Sequence, residues 1–299
     1  MLKNLVKEKY PHPEEQYTQL IKELLSEANL ETGRNGNVYR NIGAAMYFSL
    51  ENNKIPILTT KKVAIKTCLK ELLWFIRGNT DNNLLRRQGV NIWNANASDK
   101  FLKSRNLSYE QDDLGPVYGH QWRHFNAPYT SCHDDYTNKG VDQLQNVIRD
   151  IKNPETRFSR RHVVSAWNPC QIDNMALPPC HIMFQFHVTR DNKLSCSLYQ
   201  RSGDIGLGVP FNILSYSALT CLVAHHCDLE PYEFIYHLGD THIYHDHIDA
   251  LNKQVSRKPF PFPTLRINKK RENIELYEVD DFLIENYNYH EQIKMKMTA

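Results

Sequence analysis

The sequence predicts one α/β domain over residues 1–299 that carries loop insertions. Three observations lead there. Stretches with a helical period alternate with strand-like runs along the chain. No Pro/Gly/Ser-rich linker, internal repeat or low-complexity block divides it. Residues 79–140 are rich in Asn, Asp, Ser and Gly and lack clear periodicity, as functional loops and insertions do.

The elements follow in order. Tyr17, Leu20, Ile21, Leu24, Leu25 and Ala28 fall at i, i+3, i+4, i+7 spacing and predict an amphipathic helix. Gly33-Arg34-Asn35-Gly36 breaks it, as a surface turn or as an anion-binding loop. Tyr39 to Leu50 reads as a strand and 57–62 as a strand end. The helical period returns from Val63 to Arg77 and stops at Gly78. On that helix Glu71 lies among Leu72, Leu73 and Trp74, as a solvated helix partner or a partly buried carboxylate. Val141 to Ile151 is another amphipathic helix, and His162 to Trp167 an apolar strand preceded by Arg160 and Arg161. Further helices are expected at 213–227 and 241–255, and strands at 232–238 and near Leu265. The tail, 282–299, is rich in tyrosine.

Composition narrows the function classes. Net charge is +2 with 23% charged residues, so no basic excess points to nucleic acid or an anionic membrane. Seven cysteines without CxxC spacing suit a reducing compartment better than a disulfide framework. The first fifteen residues lack the apolar stretch of a secretory signal, and no apolar run approaches the roughly 18 residues that span a bilayer. The expected location is the cytoplasm, or the nucleus in a host that has one.

The chemistry concentrates between Ala176 and Tyr216. Ile182, Phe184, Phe186 and Val188 alternate with His181, Met183, Gln185 and His187, and a second run covers 194–201. Joined through Asp191-Asn192, the two runs predict a hairpin. If Arg190 lies opposite Lys193, paired residues sum to 383, and Cys180 and Arg201 become diagonal neighbours on one face. A slip of one residue would separate them. A guanidinium near a thiol favours the reactive thiolate. Pro178-Pro179 stiffens the approach, which makes Cys180 the best nucleophile candidate of the seven cysteines. Arg201-Ser202 offers a donor fork and a hydroxyl for phosphate. Gly206, Gly208 and Pro210 form a bend into Phe211-Asn212, whose amide could read an imide edge such as that of uracil. His242 and Tyr244 alternate and, if extended, reach one ligand. The histidines around them have no zinc-motif spacing, and no metal is expected.

Taken together, LPPCH (177–181), LYQRSGD (198–204), LGVPFNI (207–213) and GDTHIY (239–244) closely resemble thymidylate synthases. So do TTKK (59–62), ELLWFIRGNT (71–80), DLGPVYGHQWRHF (113–125), SRR (159–161) and SAWNP (165–169), in order along the chain. The resemblance implies a three-layer α/β fold, of α+β character, with a mixed, bulged sheet that packs back to back in a homodimer. It implies reductive methylation of dUMP to dTMP, with 5,10-methylenetetrahydrofolate as carbon donor and reductant and no metal. Cys180 would add to uracil C6. Glu71, Tyr118 and His181 would manage protons at the base, with Arg201, Asp204 and Asn212 completing the catalytic set. The phosphate would be held by Arg34, Arg201 and Ser202, and by Arg160 and Arg161 from the partner subunit. Asn212 would read the uracil edge, with Asp204 beside it, and His242 and Tyr244 the deoxyribose. Lys61, Ile92, Trp93, Asp204, Leu207, Gly208, Phe211 and Ala299 resemble folate-contacting positions, and the tail would close over the ligands. The chain departs from the common family pattern at Asn35, Asn37 and Val38, at Lys62 and Asn94, and in the tail at Tyr289-His290-Glu291 and Thr298-Ala299. The segments 98–112 and 126–140 resemble the insertions of eukaryotic and large-virus members. Two other functions stay in view: a hydroxymethylase on the same fold, and an added RNA-binding role for which the net charge gives no footprint.

Overall fold

A computed structural model describes residues 2–27, 29–33 and 36–297. Two helices, α1 (Leu2–Lys9) and α2 (Glu15–Glu27), lead into a long hairpin of β1 (Asn29–Gly33) and β2 (Gly36–Ser49). Then come α3 (Ile65–Ile76), the short helices α4 (Asn82–Arg86), α5 (Asp99–Ser104) and α6 (Tyr118–His124), and α7 (Gln143–Lys152). β3 (Val163–Ser165), β4 (His181–Val188) and β5 (Lys193–Asp204) precede the central helix α8 (Gly208–His226). β6 (Glu230–Tyr244), α9 (Ile248–Val255), β7 (Thr264–Ile267) and β8 (Phe282–Glu285) complete the chain.

The main sheet has the order β1-β2-β6-β5-β4-β3, and β7 and β8 form a separate pair. Within the main sheet β5 and β6 run parallel and the other neighbours antiparallel, so the sheet is mixed as expected. Register shifts mark β4/β5 and β5/β6. Paired residues share a face. Phe184, Phe186, Cys196, Leu198, Phe234 and Tyr236 are buried together on one such face. α8 packs against β5 and β6 and is apolar nearly all round, because α3 covers its other side. Sheet, α8 and the α3/α6 layer make the three layers. β6 outruns α8: beyond Leu238 the same strand continues as Asp240, His242 and Tyr244, and there the sheet lines an open cleft.

Several local expectations are corrected. The hairpin loop has three residues, not two: Asn192 N–H bonds Thr189 O at 3.1 Å, and Thr189 N–H bonds Lys193 O at 2.9 Å. Asn192 takes a left-handed φ of 57°, which the short amide side chain tolerates. Pairs therefore sum to 382, and the shift between His181 and Met183 drops the sum to 381 at His181↔Gln200. The segment 57–62 is not a strand; the buried carboxylate of Glu14 takes the Thr59 and Thr60 N–H groups, each at 2.8 Å, that a ladder would have used. Gly208 and Pro210 lie inside the first turn of α8, where proline's missing N–H costs nothing, so the expected bend is helix. Thr241–Tyr244 is strand because β2 and β5 hold it from both sides, as in Arg40↔His242 and Asp204↔His242. The stretch 79–140 is less irregular than expected, since α6 buries Tyr118 and Trp122.

Candidate active site

Cys180 stands at the mouth of β4. Its N–H donates to the Tyr118 hydroxyl at 2.7 Å, and its carbonyl accepts the Arg201 N–H at 2.8 Å. The nucleophile candidate and Arg201 are thus directly opposite across the ladder. The Arg201 side chain donates from Nε to Pro179 O (2.8 Å) and from Nη2 to Pro178 O (3.1 Å), and lies 5.6 Å over the Trp167 ring. The proline pair therefore does two jobs. It stiffens the approach to Cys180 and it aims the guanidinium.

Behind Cys180 lies a buried aromatic wall. Tyr118, at the start of α6, stacks on His181 with ring centroids 4.0 Å apart, and Phe75 from α3 packs on both. His181 is buried and lies 2.7 Å from the Tyr216 hydroxyl. Desolvation pulls its pKa down to about 3, so the imidazole is neutral near pH 7. Glu71 accepts the Trp93 indole N–H at 2.8 Å. Burial raises its carboxyl to about 7, against the lowering effect of that bond. It is the carboxylic acid here placed to exchange protons at neutral pH.

The cleft, of about 440 Å³, is lined by Arg40, Leu177, Pro178, Arg201, Ser202, Asp240, His242 and Tyr244 among others. Asp240 holds His242 Nδ1 at 2.8 Å and Arg40 Nε at 2.8 Å, orienting both. Asn212 lies on α8 one turn before Tyr216. A Cβ on Gly208 would make ordinary contact, 3.7 Å from Asp204 Cβ and 4.0 Å from Asn212 Oδ1, so Gly208 lies between the two side chains. Asp204 Oδ1 accepts the Gly206 N–H at 2.9 Å. Lys61 donates to the Gly206 carbonyl, and burial lowers its pKa to about 8. Glu14 fixes the loop that carries Lys61, accepting from both Thr59 and Thr60 hydroxyls at 2.6 Å. The tail crosses the same region: His290 N–H bonds Thr59 O at 2.8 Å, and His247 Nε2 lies 2.7 Å from Lys296 O.

The structure gathers Glu71, Tyr118, Cys180 and His181 into one wall, and Arg201, Ser202, His242 and Tyr244 around one cleft. Trp93 is buried against Tyr118, with Ile92 half-buried before it, and Leu207 and Phe211 are half-buried at the start of α8. Arg160 and Arg161 are exposed on the turn before β3 and do not line this cleft. Arg34 and Ala299 lie outside the described residues. Sequence reading missed Trp167, Arg40, Asp240, Tyr216 and Glu14. Tyr216 carried a signal, four residues after Asn212 on one helix. Glu14 carried none, because its partners are 45 and 46 residues away.

A thiol held at the start of a strand opposite a guanidinium, with a buried carboxyl raised to about 7 in the neighbouring aromatic wall, suits nucleophilic group transfer. Comparison with known proteins narrows that class. Residues 15–299 match the family model described as Thymidylate synthase. The chain is 50% identical over 292 residues to "Thymidylate synthase 1/2" of Encephalitozoon cuniculi, covering 96% of this chain and 98% of that one. It is 49% identical over 298 residues to "Thymidylate synthase" of Saccharomyces cerevisiae, at 96% and 97% coverage. It is also 49% identical over 298 residues to the "Bifunctional dihydrofolate reductase-thymidylate synthase" of Plasmodium chabaudi, covering 99% of this chain and 50% of that protein. The chain thus spans about half the length of such bifunctional relatives. It belongs to the thymidylate synthase family.

Proposed function

We propose that this chain methylates dUMP to dTMP, with 5,10-methylenetetrahydrofolate as co-substrate and dihydrofolate as the second product. The observation that carries the reading is the placement of Cys180 directly opposite Arg201, which lines the cleft, with the Cys180 N–H on the Tyr118 hydroxyl. Phosphate binding falls to Arg201 and Ser202, whose donors match a dianion, with Arg34, and Arg160 and Arg161 of a second subunit, supplying further charge. Asn212 offers an acceptor and a donor to the imide edge of uracil. His242, oriented by Asp240, and Tyr244 take the sugar hydroxyl.

The Cys180 thiolate adds to C6, which pushes electron density onto C5. Glu71, whose carboxyl burial raises to about 7, donates to and accepts from the base as charge moves. Tyr118 and neutral His181 hold the surrounding network without adding charge. A flat pterin would find apolar walls in half-buried Ile92, Leu207 and Phe211, a ring in Trp93, and a polar edge in Asp204 beside Gly208. When bound, the folate supplies the one-carbon unit and the hydride that completes the methyl group. Lys61 and the tail border that space, and the tail limits water. Chain pairing through the outer sheet face rests on Met183 and Tyr199, register partners that are each 41% exposed. Among the described residues no helix is long and apolar enough to cross a membrane.

Mixing the protein, dUMP and methylenetetrahydrofolate should generate dihydrofolate absorbance and a product heavier by one methylene than dUMP, and Cys180→Ser should abolish both. A hydroxymethylated product would move the assignment to a hydroxymethylase. No product from folded protein would overturn it.

A further inference from the structure

Far along the chain from Cys180, the segments 98–112 and 126–140 meet the start of α4. There Asp81, Cys132 and His133 each present one ligand atom, and all three lie within 4.8 Å of one another. Cys132 Sγ is 3.7 Å from His133 Nε2, and Glu110 Oε1 is 2.5 Å from the same nitrogen. Around a tetrahedral zinc ion, with bonds of about 2.3 Å to sulfur and about 2.0 Å to nitrogen, the sulfur–nitrogen edge is about 3.5 Å. The Cys132–His133 edge is already near that length.

The frame that holds these groups is tied down. Asp113 accepts the Cys132 N–H at 3.0 Å with one oxygen, and the Tyr129 hydroxyl at 2.6 Å and the Gly115 N–H at 2.8 Å with the other. Asp81 caps α4 through the Asn83 N–H at 2.7 Å, forms a backbone bridge with Asp113, and gives its carbonyl to the Trp74 indole at 3.0 Å. Asp113 N–H bonds the Glu110 carbonyl at 3.1 Å. Three carboxylates, from Asp81, Glu110 and Asp113, thus surround one thiol and one imidazole. One soft sulfur, one imidazole and the Asp81 carboxylate are a donor set that favours zinc-like divalent ions over magnesium or calcium, and Glu110, now on the imidazole, is the fourth donor that would have to swing in.

We infer that Cys132, His133, Asp81 and Glu110 form a divalent transition-metal site that clips the two insertion segments to the start of α4. On binding, Cys132 releases its proton to solvent and becomes the thiolate ligand, and His133 leaves Glu110, its remaining proton on Nδ1 and any second proton lost to solvent, so that Nε2 binds as neutral imidazole. No electron is transferred. The site lies outside the residues assigned above to dUMP and folate, so it stands or falls apart from the methylation reading.

The test is titration of the full chain, freed of metal by chelation, with cobalt(II). We expect one equivalent bound, with a thiolate-to-cobalt charge-transfer band in the near ultraviolet. Cys132→Ser should remove the band, whereas Cys180→Ser should keep it. His133→Ala and Glu110→Gln, both at exposed positions, should weaken binding at least about tenfold, the scale seen when groups that support a metal ligand are lost. Zinc should compete the band away and raise the Tm of the wild-type chain but not of Cys132→Ser. A band that survives Cys132→Ser, or no saturable binding by a wild-type chain with native unfolding, would overturn the site.

Discussion

Glu71 carries the clearest residue-scale consequence. Its carboxyl is raised from 4.5 to about 7, chiefly by burial. The folded chain therefore binds this proton more tightly than the unfolded chain does. The stability so gained is complete below pH 4.5 and is lost as the pH rises through 7. Glu71→Gln keeps an acceptor for Trp93 and cannot ionise. The variant should match the wild type near pH 4 and exceed its stability above pH 7, by on the order of 1–3 kcal/mol in urea unfolding. It should also lower kcat by about 10²–10⁴-fold and lose the pH-rate limb near 7. The sequence left this glutamate open between solvated and buried, because helical period alone does not say what covers a face. Trp93, which both covers it and bonds it, comes from a loop without periodicity. Cys180 was easier to read, since a strand alternates with period two and a proline pair precedes it.

The hairpin of β4 and β5 shows what an element reveals before its structure is known. Alternation located both strands but left their register to the loop. The third loop residue, with Asn192 in the left-handed region, moves every pair by one, and the shift beside Ile182 moves them again. Two one-residue corrections leave Cys180 and Arg201 together, as opposite rather than diagonal partners. The tail and the start of α8 form a second such element. A Cβ on Gly206 would lie 2.6 Å from His247 Nδ1 and 3.2 Å from Met295 Sδ. Gly206→Ala should therefore displace the tail. Steady-state kinetics should show KM for methylenetetrahydrofolate raised severalfold more than KM for dUMP. Equal effects on both would locate the damage in the sheet instead. Thr241–Tyr244 was misread as helix because the four residues are flanked by a helical pattern. Their strand pairing comes from β2, some 200 residues earlier in sequence.

Over the whole molecule, the alternating periods made a single α/β domain legible, while the three layers and the mixed sheet were expected only from the family resemblance. The polar hubs were not legible. Glu14 fixes the Thr59-Thr60 loop, and Asp113 ties Gly115, Tyr129 and Cys132 together, through side-chain contacts that follow no helical or strand period. The outer sheet face makes its own prediction. Met183→Glu places a charge on an exposed apolar position, and should shift sedimentation toward a smaller species. If Arg160 and Arg161 serve a neighbouring site, activity should fall with that shift and recover with protein concentration. A fully active smaller species would remove them from the phosphate site. The central claim is that Cys180 becomes covalently bound to a uracil ring held in this cleft. Incubation with 5-fluoro-dUMP and methylenetetrahydrofolate tests it most directly, because fluorine at C5 cannot leave as a proton and the adduct accumulates. Mass spectrometry should find the intact chain heavier by one nucleotide and one folate, with the modification mapped to Cys180. An unmodified chain, or an adduct on any other residue, would contradict the account.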